Sequence, residues 1–182
     1  GTQSVSFIIS IVLARLLLPE EFGLIAMITI FMSIGNVLLN AGLGQSLIRT
    51  KAPTEEDYST VFFFNLIGSL IIYVIIYFLA HWISEFYSQP LLVDLVRWFS
   101  ILIVINAFSM VQPTRLTKQV DFKTQLKVSL PATVLSGALG VILAFNGFGV
   151  WSLVWMAIFK SILTMLLLFY NTKWVPSLVF HL

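Results

Sequence analysis

From Thr60 to Trp82 the chain passes through 23 residues without one Asp, Glu, Lys or Arg. A helix needs roughly 20 apolar residues to cross a bilayer, and a soluble domain has no place for a segment that is apolar on every side. Similar runs recur at about residues 1–18, 24–48, 95–110, 128–145 and 150–170, with a broken one where Asn and Gly interrupt it. The loops between them are too short to hold a folded domain. The expected class is therefore all-α: a polytopic membrane protein with six transmembrane helices.

Composition supports this. The 182 residues are 59% hydrophobic and 10% charged, against about 25% charged in a soluble domain. That excludes a soluble enzyme, and the absence of cysteine excludes a disulfide-framed secreted domain. The net charge of +2 reflects basic loops on one side of a membrane rather than a nucleic-acid partner.

Polar punctuation marks the span ends. Pro19-Glu20-Glu21 closes the first span, and Pro with an acidic pair also suits the start of the next helix. Thr54 followed by Asp57 is a capping-box-like start for the third helix. Ser84 to Val93 reads as a loop around Pro90, and Gln112-Pro113-Thr114-Arg115 as a shoulder leading into a basic amphipathic connector, Leu116 to Lys127. Pro131 is a kink or a helix start. Asn146-Gly147-Phe148-Gly149 has the composition of a tight turn.

Charge then sets orientation. Arg49, Lys51, Arg115, Lys118, Lys123, Lys127 and Lys173 fall in alternate loops and the tail, while the intervening turns carry Glu20, Glu21, Glu85 and Asp94. Basic loops stay cytoplasmic, so both ends of the chain are expected inside. The start at Gly1-Thr2-Gln3 without Met, and the stop at Phe180-His181-Leu182, are read as the ends of a piece of a longer protein.

Three basic residues lie within spans: Arg15, Arg97 and Lys160. Charge inside a span is costly and marks a functional hypothesis. Arg97, near the outer end of its span, has the alternatives of snorkelling or pairing with Asp94 one turn away. Arg15 lies near the outer mouth, where snorkelling competes with a cavity-facing role. Lys160 is about ten residues from either end of its span, roughly 15 Å deep at 1.5 Å per residue. Snorkelling does not reach from there, so Lys160 is expected to face a wet cavity or an acidic partner. All three are candidate cationic cavity residues.

The amides Asn36, Asn40, Asn65 and Asn106 also fall in spans, the first two on one helix face. Helix–helix hydrogen bonding, worth about 0.6 kcal/mol per contact, is the commoner reason for a single amide. A polar cavity lining is the alternative for the set.

Other chemistry has no residues to carry it. His81 and His181 lie at a span end and at the chain end, without the spacing of a metal site. No Gly-rich loop precedes a Lys-Ser/Thr pair, so a nucleotide-hydrolysing motor is absent. Glu55, Glu56 and Asp57 read as helix capping. A transporter without catalytic activity, metal or cofactor is expected.

Arg15-Leu16-Leu17-Leu18-Pro19-Glu20-Glu21-Phe22-Gly23, Ala41-Gly42-Leu43-Gly44-Gln45-Ser46-Leu47-Ile48-Arg49, Thr54-Glu55-Glu56-Asp57 with Ser59-Thr60-Val61-Phe62, and Gly147-Phe148-Gly149-Val150-Trp151 follow one another in order. As an ordered set they resemble the Wzx-type polysaccharide and lipopolysaccharide flippases, in the branch that exports colanic-acid-like or teichuronic-acid-like polymers. The resemblance covers essentially the whole chain.

The resemblance implies one six-helix lobe, residues 1–182, the amino-terminal one of a two-lobe exporter fold in the superfamily of multidrug, oligosaccharidyl-lipid and polysaccharide exporters. It implies a bacterial cytoplasmic membrane location and an undecaprenyl-pyrophosphate-linked oligosaccharide as substrate, flipped by alternating access. The implied partners include a polysaccharide polymerase and chain-length machinery, and no nucleic acid. A cationic cavity at Lys160 and Arg15 would suit the pyrophosphate. Asn40 departs from an Asp expected in many relatives, which weakens a cation-binding role there. The alternatives are a drug exporter of the same fold and a membrane-embedded polymerase. The first needs acidic cation sites, and the second a large outer loop or a carboxylate cluster.

Overall fold

The computed structural model describes residues 2–40, 54–118 and 121–172. Among them are seven helices and no strand: α1 Thr2–Leu16, α2 Pro19–Asn40, α3 Glu55–Tyr87, α4 Leu92–Ser109, α5 Val111–Lys118, α6 Phe122–Phe145 and α7 Val150–Thr172. Five of these, α2, α3, α4, α6 and α7, are long and apolar enough to cross a membrane, and α1 is a shorter apolar helix. The chain is an all-helical, multi-pass membrane protein.

Helix ends follow local chemistry. Asp57 accepts from the Thr54 backbone N–H at 2.8 Å, and its own N–H donates to Thr54 Oγ1 at 3.2 Å, completing the expected capping box of α3. Pro19 opens α2 five residues earlier than the expected start at Leu24. Pro needs no N–H partner in a first turn, and Glu21 Oε2 accepts the Leu18 N–H at 2.8 Å. α3 runs to Tyr87, so the expected loop from Ser84 shrinks to Ser88–Leu91, with Ser88 in the left-handed region at φ 52°. Gly147 (φ 81°) and Gly149 (φ 55°) make the expected turn between α6 and α7.

The connector from Leu116 to Lys127 is divided. α5 ends at Lys118, and Asp121 caps α6 by accepting from the Thr124 N–H at 3.0 Å and hydroxyl at 2.6 Å. The hydroxyl first, and then the amide, hold the Asp121 carboxyl below its ordinary value of 3.8. Pro131 lies inside α6 rather than at its start. The segment from Ala41 to Pro53, with Gly42, Gly44, Arg49 and Lys51, lies outside the described residues, as do Lys173 and His181.

α4 and α7 are neighbours at the centre, with α3 packed along α4 and α6 along α7. The main core joins Ile28 and Met32 of α2, Ile76 and Ala80 of α3, Leu95 and Ile103 of α4, and Val154 and Ile158 of α7. Small polar residues are buried inside: Ser69, Ser100 and Ser152 are 0% exposed. Ser69 and Ser100 return their hydroxyls to carbonyls of their own helices at 2.7 and 3.0 Å, and Ser152 donates to the Gly149 carbonyl just before α7 at 2.6 Å, which satisfies each group without water. Large apolar side chains face out, with Phe78 74% and Phe86 80% exposed. Water would penalise such a surface; lipid does not.

α1 packs on α6, whereas α2 packs on α4, α7 and α3. The two helices are joined only by Leu17-Leu18 and scarcely touch. At their shared corner Leu13, Leu17, Ala144 and Leu153 close together. Away from that corner α1 follows α6, and α2 follows α4 and α7.

Candidate functional site

Leu153 of α7 is covered at the closed corner. Lys160 lies seven residues on, about two turns and 10 Å further along the same face, and it is exposed. It stands well round the helix from the outward-facing stripe of Trp155, Phe159, Leu166 and Tyr170. Thr164, one turn beyond Lys160, reaches a second feature.

Thr164 and Leu168 of α7 meet Asn36 of α2, Asn65 of α3 and Asn106 of α4 around a cavity of about 290 Å³. Four helices thus bring three of the four singled-out amides to one place. Asn40 closes α2, and its side chain lies outside the described residues. Asn65 is 1% exposed, and neither its Oδ1 nor its Nδ2 has a hydrogen-bond partner. A buried amide left unpaired costs about 1–3 kcal/mol. Asn106 Oδ1 accepts the Ser161 hydroxyl at 3.2 Å, tying α4 to α7 beside Lys160. Pro113 of α5 contributes to the lining.

Arg15 and Arg97 are elsewhere. Arg15 is exposed in the last turn of α1 and shares a stripe with Ile8 and Ile11. Arg97 lies nine residues before Asn106, two and a half turns, and therefore on the opposite side of α4. Its guanidinium carbon sits 4.5 Å from the centre of the Tyr77 ring, and the alternative pairing with Asp94 is not formed. Arg97 lines a separate cavity of about 300 Å³ with Tyr73, Tyr77, Asp94, Trp98 and Ile101.

Sequence reasoning passed over Ser161 and Thr164, because hydroxyls in spans usually bond to their own backbone, as Thr164 Oγ1 does to Lys160 O at 2.8 Å. The available signal was the four-residue spacing of Thr164 from Lys160, which puts both on one face. Among the described residues no group of His, Asp or Glu is arranged to hold a metal ion.

Comparison with known proteins identifies relatives of the chain. The chain is 27% identical, over all of its 182 residues, to the succinoglycan biosynthesis transport protein ExoT of Rhizobium meliloti (strain 1021), covering 37% of that protein. It is 33% identical over 154 residues, 80% of the chain, to the teichuronic acid biosynthesis protein TuaB of Bacillus subtilis (strain 168), covering 31% of it. Against the lipopolysaccharide biosynthesis protein WzxC of Escherichia coli (strain K12) it is 22% identical over 61% of the chain and 23% of the relative. The chain thus spans about a third or less of the length of these curated relatives. No solved structure matches it. The profile of the polysaccharide biosynthesis protein family matches residues 12–182, and the chain belongs to that family.

Proposed function

We propose that the chain forms the amino-terminal lobe of a two-lobe polysaccharide exporter. The exporter flips undecaprenyl-pyrophosphate-linked oligosaccharide repeat units across the bacterial cytoplasmic membrane by alternating access. The observation that carries this reading is a set of polar groups held inside an apolar bundle. Lys160 is exposed on α7, and the cavity lined by Asn36, Asn65 and Asn106 adjoins one turn away. An apolar bundle has little reason to hold an uncompensated lysine and an unpaired amide except to meet a polar cargo. The relatives, which include a succinoglycan biosynthesis transport protein, support the same class of cargo.

In this mechanism a second lobe faces this one, and the substrate head group crosses between the lobes near the midplane. Lys160 meets the pyrophosphate as a point charge, and the amides take sugar hydroxyls as both donors and acceptors. The lipid chain stays in the bilayer. Without a nucleotide-hydrolysing motif, an inside-negative potential is one available driving force. Each negative charge carried outward gains about 2.3 kcal/mol per 100 mV.

Deleting the protein from its host tests the reading. Lipid-linked repeat units should accumulate on the cytoplasmic leaflet while surface polymer disappears. Unchanged surface polymer would overturn it, and accumulation on the outer leaflet would indicate a polymerase instead.

A further inference from the structure

The cavity around Arg97 contains two opposite charges that do not pair. Asp94 and Arg97 are one turn apart on one face of α4 and both line the same space of about 300 Å³. A pair at that spacing forms readily when nothing else competes for it. Here Arg97 turns onto Tyr77 instead, and its Nε is buried without a hydrogen-bond partner. Asp94 stays exposed. The remaining walls are Tyr73, Tyr77, Trp98 and Ile101. A purely anionic ligand would meet the Asp94 carboxylate, and a purely cationic one the guanidinium. The arrangement suits a ligand carrying both charges a few ångströms apart.

A second, apolar groove adjoins it. Tyr73 and Tyr77 also line a space shared with Val74 and Phe78, and Phe78, 74% exposed, stands edge-on to Tyr77 at 6.0 Å. A charged recess and an apolar groove on two sides of one tyrosine pair match a head and a chain. Arg97 is five residues into α4, about 7.5 Å from its start, close to the depth of the interfacial layer of a bilayer.

We infer that this recess binds a phosphatidylethanolamine molecule of the surrounding leaflet. The Arg97 guanidinium donates to its phosphate, the Asp94 carboxylate accepts from its ammonium, and an acyl chain lies along Tyr73, Val74, Tyr77 and Phe78. Phosphate recognition by Arg is charge-assisted. Phosphatidylcholine, whose quaternary nitrogen has no N–H to donate, fits the phosphate side only.

The test is native mass spectrometry of the complete protein, purified in detergent and supplied with phosphatidylethanolamine, phosphatidylcholine or phosphatidylglycerol. Phosphatidylethanolamine should be retained about tenfold over phosphatidylcholine, a difference of about 1.4 kcal/mol. Asp94→Asn, a change at an exposed side chain that leaves packing intact, should abolish that preference. Arg97→Gln should lower retention of all three lipids. Glu85→Gln, at a carboxylate paired with His81 at 3.3 Å, should change nothing. Equal retention of the three lipids, a preference for phosphatidylglycerol, or an Asp94→Asn protein that still selects phosphatidylethanolamine would each overturn the assignment.

Discussion

Ser161 on α7 donates its hydroxyl to Asn106 Oδ1 on α4 across 3.2 Å, one residue past the exposed Lys160. The bond fixes the position of the Asn106 amide in the cavity wall. It also ties α7 to α4 beside the cavity wall that Thr164 lines. A single interhelical bond of this type is worth about 0.6 kcal/mol, so its value lies in position more than in stability.

Asn65 carries the opposite balance. Both polar atoms of its side chain are buried without partners, so Asn65→Leu should leave stability unchanged or raise it, by up to about 1–3 kcal/mol. Denaturant unfolding in micelles measures this. A loss beyond about 1 kcal/mol would show that the amide is satisfied in the folded protein.

Gly137 sets how closely α1 approaches α6. A Cβ there would run into the Ile9 side chain, with Cγ1 at 2.7 Å. Gly137→Val should therefore destabilise the bundle by about 1–3 kcal/mol through overpacking. At Gly140 the nearest atom is Met156 Sδ at 2.8 Å; a flexible thioether can move aside, so Gly140→Ala should cost less. Thermal unfolding of the two variants should rank them in that order, and equal melting would contradict the packing described.

Orientation is testable because the chain has no cysteine. Gln89→Cys, in the exposed turn between α3 and α4, should react with an impermeant maleimide on intact cells. Lys123→Cys, in the first turn of α6, should react only after the membrane is opened. The reverse pattern would invert the proposed topology, in which basic loops are cytoplasmic.

Much of the fold was legible because its signals are local. The Thr54–Asp57 capping box and the Gly147–Gly149 turn depend on residues adjacent in sequence, and both appear as read. α2 opens at Pro19, where the proline and the acidic pair suit a helix start, ahead of the apolar run expected from about Leu24. α5 was divided between a polar shoulder and a connector because eight mostly polar residues show no apolar run. At the site, polarity inside a span was enough to single out Asn36, Asn65, Asn106 and Lys160. The meeting place of the three amides was not legible, since it depends on how four helices pack. For the same reason Arg97 reaches Tyr77 of α3 rather than Asp94 of its own helix.

The central claim is that Lys160 meets an anionic cargo. Lys160→Gln in the complete protein removes the charge and keeps a polar, somewhat shorter side chain. With protein levels matched, surface polymer should fall about tenfold or more, corresponding to at least about 1.4 kcal/mol of lost charge interaction, and Lys160→Arg should retain most of it. Wild-type polymer levels in the Lys160→Gln protein would contradict the account.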